Sequence, residues 1–214
     1  MRLRSFTVCN IILLLIPSAY SQSKTAVNTA TENWHDVEVI LPGRLYAYSY
    51  GTGKVVMSRD DGKTWLLQHQ TDSLYFEQLQ FINQKTGWIC GEKGIVIYTK
   101  NGGRKWHTVR VYKEAEDLFL YGLYFSDKNN GYVSGALLTN NRLQGKLYRT
   151  TNGGKDWQEI PLPFANMLLH LSGHQNTVWF SGDNIIGKIE NNVPVVKYYD
   201  STKVTGQIRS FTFF

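Results

Sequence analysis

The chain has 214 residues and a formal net charge of +6; 42% of its residues are hydrophobic, 19% charged and 14% aromatic. That balance excludes a disordered chain, a coiled coil and a charged tail, while 19 glycines against 5 prolines, with 6 tryptophans, 13 tyrosines and 10 phenylalanines, suit short aromatic strands joined by glycine turns. The basic excess is mild, is partly carried by Arg2 and Arg4, and is not a nucleic-acid-binding signature.

Taken in chain order, Arg2 and Arg4 precede the apolar stretch Phe6 to Ile16, and Ala19-Tyr20-Ser21 offers small residues where a signal peptidase reads. The pattern predicts a signal peptide over residues 1–21 and a secreted or periplasmic protein. The stretch falls short of the ~20 apolar residues of a membrane span. No second such run follows, so no span is expected after cleavage. Residues 22–33 read as a short linker. Cys9 lies inside the signal, so Cys90 has no partner for an internal bridge and the fold must stand on packing. In Gly87-Trp88-Ile89-Cys90-Gly91 it reads as a small buried hydrophobe rather than a nucleophile.

One eight-residue pattern then recurs three times. Its copies are Ser58-Arg59-Asp60-Asp61-Gly62-Lys63-Thr64-Trp65, Thr99-Lys100-Asn101-Gly102-Gly103-Arg104-Lys105-Trp106 and Thr150-Thr151-Asn152-Gly153-Gly154-Lys155-Asp156-Trp157. Each reads hydroxyl, any, Asp or Asn, any, Gly, any, any, Trp, and the tryptophans lie 41 and then 51 residues apart. That period suits one four-stranded propeller blade of ~40 to 50 residues. The residue types fit a hairpin clip: the hydroxyls of Ser58, Thr99 and Thr150 and the side chains of Asp60, Asn101 and Asn152 can accept amides across the turn. Gly62, Gly103 and Gly154 can take positive φ, and Trp65, Trp106 and Trp157 cover the turn as the next strand starts.

The flanks repeat too. Strands are predicted at Leu45 to Tyr50 and Lys54 to Ser58; at Leu74 to Phe81, Trp88 to Gly91 and Ile95 to Thr99; and at Leu118 to Phe125, Tyr132 to Gly135 and Lys146 to Thr150. The extra length of the third copy is assigned to a loop hairpin over about Ala136 to Gly145. A fourth repeat without the clip follows in Met167 to Leu171, Thr177 to Ser181, Ile185 to Glu190 and Val195 to Tyr199. Trp34-His35-Asp36-Val37-Glu38-Val39 matches Trp106-His107-Thr108-Val109-Arg110-Val111, which predicts that the array opens on the outermost strand of a blade. Gln207 to Phe214 matches the inner strand Leu74 to Phe81, so residues 34–214 are expected to be propeller blades truncated at the C-terminal end. The predicted fold class is all-β: a β-propeller of four-stranded antiparallel blades, about four of them, in an incomplete ring.

Trp88-Ile89-Cys90-Gly91 with Gly94, Thr99-Lys100-Asn101-Gly102-Gly103 and Trp106, repeated in Gly131-Tyr132-Val133-Ser134-Gly135 with Thr150-Thr151-Asn152-Gly153-Gly154 and Trp157, resembles the blade of the photosystem II assembly and stability factor family. The turn alone resembles the Asp-box, or bacterial neuraminidase repeat, of sialidases and sortilin-type receptors. The first resemblance implies an exported, non-enzymatic propeller that binds another protein, through a basic patch in the photosynthetic members. Arg104, Lys105, Arg110 and Lys113 are the candidate binding residues here, beside the reading of the same cations as solvated turns and an outer strand.

The sialidase resemblance supplies the alternative of a sialidase-like glycoside hydrolase or a carbohydrate-binding propeller, with a glycan as ligand. Hydrolysis would need an arginine clamp, a tyrosine nucleophile and an acid. Pro42-Gly43-Arg44 has the wrong order for the sialidase Arg-Ile-Pro element, and the acidic run after Tyr112 reads as an inter-blade loop. No catalytic residue is assigned. No metal site is expected, since His170 and His174 would not share a helix face, and no cofactor is expected because no Gly-rich phosphate loop precedes a helix.

Overall fold

Short runs of alternating apolar residues, each closed by a glycine, Asn or Asp turn, fold as antiparallel strands whose two faces are buried against neighbouring sheets. A computed structural model describes residues 25–27, 32–72, 74–113, 116–174 and 177–199. The predicted signal peptide and Gln207 to Phe214 lie outside the described residues. Four four-stranded sheets follow one another. The first holds β1 (Trp34–Leu41), β2 (Arg44–Ser49), β3 (Lys54–Ser58) and β4 (Leu66–Gln70); the second holds β5 (Phe76–Phe81), β6 (Gly87–Gly91), β7 (Ile95–Thr99) and β8 (His107–Arg110). The third holds β9 (Leu118–Phe125), β10 (Gly131–Thr139), β11 (Arg142–Thr150) and β12 (Gln158–Glu159); the fourth holds β13 (Leu168–His174), β14 (Thr177–Gly182), β15 (Ile185–Glu190) and β16 (Val193–Tyr199). No helix occurs among the described residues. The first strands of the sheets, β1, β5, β9 and β13, lie side by side, so the sheets are the blades of a β-propeller arranged in an open arc.

Two expectations need correction. Trp34 to Val39 is not an outermost strand: β1 pairs with β2 and lies against β5, as the inner strand of the first blade. The segment assigned to a loop hairpin, Ala136 to Gly145, is strand almost throughout, β10 and β11 pairing without interruption as far as Thr139 and Arg142. Only Asn140 and Asn141 turn, at φ 50° and 58°, which is the left-handed pair a two-residue hairpin requires. Within residues 22–33, Thr25 to Val27 adds a short stretch of pairing outside β4, with Val27 N donating to Trp65 O at 3.0 Å and Leu67 N to Thr25 O at 3.1 Å.

Each clip joins the third and fourth strands of its blade. In the first, the Ser58 hydroxyl oxygen accepts from Gly62 N at 2.8 Å, and Asp60 Oδ1 accepts from Thr64 N at 2.9 Å. In the second, Thr99 Oγ1 accepts from Gly103 N at 2.9 Å and Asn101 Oδ1 from Lys105 N at 2.9 Å; in the third, Thr150 Oγ1 accepts from Gly154 N at 3.0 Å and Asn152 Oδ1 from Asp156 N at 3.0 Å. Bonds from the hydroxyl and amide of Thr64 and from the Ser58 hydroxyl hold the Asp60 carboxyl down at about 2. Gly62, Gly103 and Gly154 have φ of 82°, 70° and 84°, and the residues before them, Asp61, Gly102 and Gly153, are left-handed too. Two successive positive φ values turn a peptide carbonyl outward, where in the second and third clips it accepts a bond from the preceding blade.

That bond links one blade to the next. Tyr46 on β2 donates its hydroxyl to Gly102 O at 2.8 Å, and Trp88, at the same position of β6, donates its indole N–H to Gly153 O at 3.0 Å. Around each donor the rings repeat: Tyr46 lies 4.6 Å from Phe81, which meets Trp106 edge-on, and Trp88 stacks at 3.7 Å on Phe125, which meets Trp157 edge-on. The tryptophan of each of these clips therefore seals the gap behind its own blade. Trp65, whose blade has none described before it, instead lines an open cleft with Trp34, Ala47 and Val56. The third gap is built differently, because the fourth blade has no clip. Tyr132 donates to the side chain of Asn192 at 2.9 Å, and Gly173 stands where Phe81 and Phe125 stand, leaving room that Tyr124 fills. A Cβ on Gly173 would lie 2.3 Å from that ring.

Side-chain carbonyls add a second tie near the axis. Gln80 Oε1 accepts from Phe125 N at 2.7 Å while its Nε2 donates to Phe125 O at 3.2 Å. At the equivalent position one blade earlier, Glu38 Oε1 accepts from Phe81 N at 3.1 Å, and its other oxygen is buried without a partner. Burial pushes the Glu38 carboxyl up to about 7, against the lowering bond from Phe81 and with help from nearby Asp36. The folded protein thus holds this proton more tightly than the unfolded chain. The associated stability is complete below the unfolded carboxyl value of ~4.3 and is lost as pH rises through the folded value.

Two outcomes follow for stability. Tyr46→Phe keeps the ring packing but strands the Gly102 carbonyl, and should lower unfolding free energy by about 1 kcal/mol in a denaturant titration. Glu38→Gln restores the two-point tie of Gln80; it should leave thermal unfolding nearly unchanged at about pH 5 and raise stability by ~1–2 kcal/mol, roughly 3–6 °C, at about pH 8.5.

Candidate functional site: a basic cleft over the first inter-blade gap

In an antiparallel blade the first-to-second and third-to-fourth strand connections emerge at one end and the second-to-third at the other. The clips therefore share an end with the turns Pro42-Gly43 and Asn83 to Thr86. There the first and second blades enclose a cleft of about 450 Å³ lined by Arg44, Arg59, Gln84, Lys85, Lys100, Asn101, Gly102 and Arg104. Five of these are cations and none is a carboxylate. Its walls are fixed by backbone bonds: Asn83 Oδ1 accepts from Lys85 N and Thr86 N at 2.9 and 3.0 Å, and Gly102 N donates to Lys85 O at 2.8 Å. The Tyr46 bond to Gly102 joins the two walls beneath it.

The four cations singled out in the sequence do not form one patch. Arg104 lines the cleft, and Lys105 adjoins it in the same clip, its backbone held by Asn101. Arg110 ends β8 at the opposite end of the blade, where it contacts Glu116 at 2.6 Å, with Lys93 4.0 Å from the same carboxylate; Lys113 follows in that connection. Arg44 and Arg59, 45 to 60 residues before Arg104 in the chain, were not singled out. Lining up the repeats would have revealed them: the clips superpose Arg59 on Lys100, and the second strands, with Tyr46 on Trp88, superpose Arg44 on Thr86 beside Lys85.

The clip residues serve the scaffold. The side chains of Ser58, Asp60, Thr99, Asn101, Thr150 and Asn152 all bond within their own turns, and Trp65 and Trp157 donate to Gly62 O and Gly154 O. Cys90 is fully buried with its thiol pushed up by desolvation, so it is held as the unreactive thiol. A second cleft, of about 510 Å³, runs along the inner strands and is lined by His35, Asp36, Tyr50, Glu77, Tyr121 and His170 among others. Among the described residues no three His, Cys, Asp or Glu side chains are placed to hold a metal ion.

Comparison with known proteins agrees with the blade architecture. The photosystem II assembly lipoprotein Ycf48 of Synechococcus sp. (strain CC9902) is 26% identical over 170 residues, covering 78% of this chain and 48% of that protein. The chloroplastic photosystem II stability/assembly factor HCF136 of Oryza sativa subsp. japonica is 22% identical over 130 residues, 58% of this chain and 29% of that one. The chain thus spans half or less of the length of these curated relatives. Among solved structures, YCF48 bound to D1 peptide superposes with a TM-score of 0.58 at 18% identity, over 82% of this chain and 56% of that one. An ancestral GH74 enzyme superposes with a TM-score of 0.59 at 15% identity, over 79% and 27%. At these identities both show the fold alone. The family described as Sortilin-Vps10 (sortilin, neurotensin receptor 3) matches residues 53–204, and with nearly three quarters of its length inside that match the chain belongs to this family.

Proposed function

We propose that the protein is an exported, non-enzymatic β-propeller that binds another protein and acts as an assembly scaffold. The relationship to Ycf48 over 78% of the chain carries this reading, and the solved YCF48 with its bound peptide supports a protein as the kind of partner. Export is supported by the Arg2, Arg4 and Phe6 to Ile16 pattern. The clip end is the contact surface in this reading. Of its carboxylates, Asp60, Asp127 and Asp156 are held by bonds within their own turns and Asp61 is exposed, against the five exposed cations Arg59, Lys85, Lys100, Arg104 and Lys105. An acidic surface would be steered to such an end and held in register there.

Tagged full-length protein should recover one discrete partner from the exported fraction. The double change Arg104→Glu with Lys105→Glu should weaken that capture about ten-fold or more, while Arg110→Glu with Lys113→Glu at the opposite end leaves it within about two-fold. Equal losses from both pairs would remove the clip end as the contact. Hydrolysis of a fluorogenic sialoside by the purified protein, abolished by one tyrosine substitution, would replace the scaffold by the glycosidase alternative.

A further inference from the structure

We infer that the cleft formed by Arg44, Arg59, Lys85, Lys100 and Arg104 is a binding site for a small multivalent oxyanion, a phosphate or sulfate ester on a sugar-sized body. This deepens the preceding reading by assigning a ligand chemistry to the same end of the propeller. The first ground is charge. None of the ion pairs among the described residues involves these five side chains, and no carboxylate lines the cleft. A single carboxylate would neutralise one charge of five, so the complementary ligand carries at least two. Three of the five are arginines, whose planar forks match phosphate and sulfate oxygens two at a time.

The second ground is an internal control. The gap between the second and third blades repeats the same scaffold with the same latch and clip. Its residues equivalent to Arg44, Arg59, Lys85, Lys100 and Arg104 are Thr86, Lys100, Asn129, Thr151 and Lys155. Arginine is absent there, although Gly153 N bonds to Asn129 O at 2.8 Å just as Gly102 N bonds to Lys85 O. The scaffold therefore does not require the cations of the first gap, and gathering like charges on its rim works against folding. Size is the third ground: about 450 Å³ lies within the usual range for a small-molecule site of ~300–1,000 Å³. The neutral side chain of Gln84 in the lining suits a hydroxyl of the ester's body. Turns pinned by Asn83 and by the Tyr46 latch fix the backbone that carries Lys85, Lys100 and Arg104 before a ligand arrives.

The test is calorimetric titration of the full chain at about 0.15 M salt, where diffuse surface attraction is screened beyond ~8 Å. Inorganic pyrophosphate is the probe, and a sugar phosphate and a sulfated disaccharide are the arms that separate the two esters. Saturable one-to-one binding is expected, weakened about ten-fold or more by Arg59→Gln and by Arg104→Gln and unchanged by Arg110→Gln. These side chains are exposed, so unfolding midpoints should stay near that of the parent and exclude misfolding as the cause. Non-saturable binding, or equal loss from Arg110→Gln, overturns the site. Partner capture by a protein that binds no pyrophosphate overturns the anion site and leaves the scaffold standing; pyrophosphate binding without any partner supports the site and removes the scaffold.

Discussion

A single hydrogen bond, from an aromatic side chain on the second strand of one blade to an outward-turned carbonyl in the clip of the next, organises this molecule. The hydroxyl of Tyr46 and the indole of Trp88 make it in two successive gaps. It imposes several requirements at once. The acceptor carbonyl needs two left-handed residues, hence Asp61-Gly62, Gly102-Gly103 and Gly153-Gly154. The donor must be aromatic to reach across a gap, and its ring must lie on a flat partner, hence Phe81 and Phe125. The clip tryptophan then covers what remains. Each of these residues is scaffold because each is already bonded or buried.

Much of this was legible in the sequence, and the part that was not has a common cause. The octapeptide, its period and the strand rhythm are local patterns, and local patterns gave the clips, the strands and the number of blades present. The partner of a strand is not local. Trp34 to Val39 carries the same alternation as Trp106 to Val111, and alternation is shared by inner and outer strands alike; only pairing with Leu45 to Ser49 and contact with β5 identify β1 as the inner one. The Ala136 to Gly145 insertion reads as a loop from its adjacent asparagines, yet the Asn140-Asn141 turn is only two residues long and lets the flanking strands extend to meet it. The basic cleft joins residues from two blades, so a run of cations along the chain selected Arg104 and Lys105 correctly for that end but added Arg110 and Lys113 from the other.

The gaps between blades differ in kind, and the differences separate scaffold from function. Where Gln80 makes a two-point tie, Glu38 makes one bond and keeps a buried oxygen unmatched. Over that same first gap lie the five cations that have no carboxylate partner among the described residues. The third gap dispenses with the clip and fills the missing phenylalanine's place with Tyr124. Repetition sets the shape, and departures from it mark where one copy has been put to separate use.

The bond between blades also has a direction. Trp179 in the fourth blade occupies the register of Tyr46, Trp88 and Tyr132, and Asp61 in the first occupies that of Gly102 and Gly153. Donor register and acceptor register thus recur in the same order along the chain, the donor always in the earlier blade of the pair where the bond is made. Because each such coupling takes its donor from one blade and its acceptor from the next, losing one donor loosens a single seam and leaves the hydrogen-bonded ladder of every blade as it is.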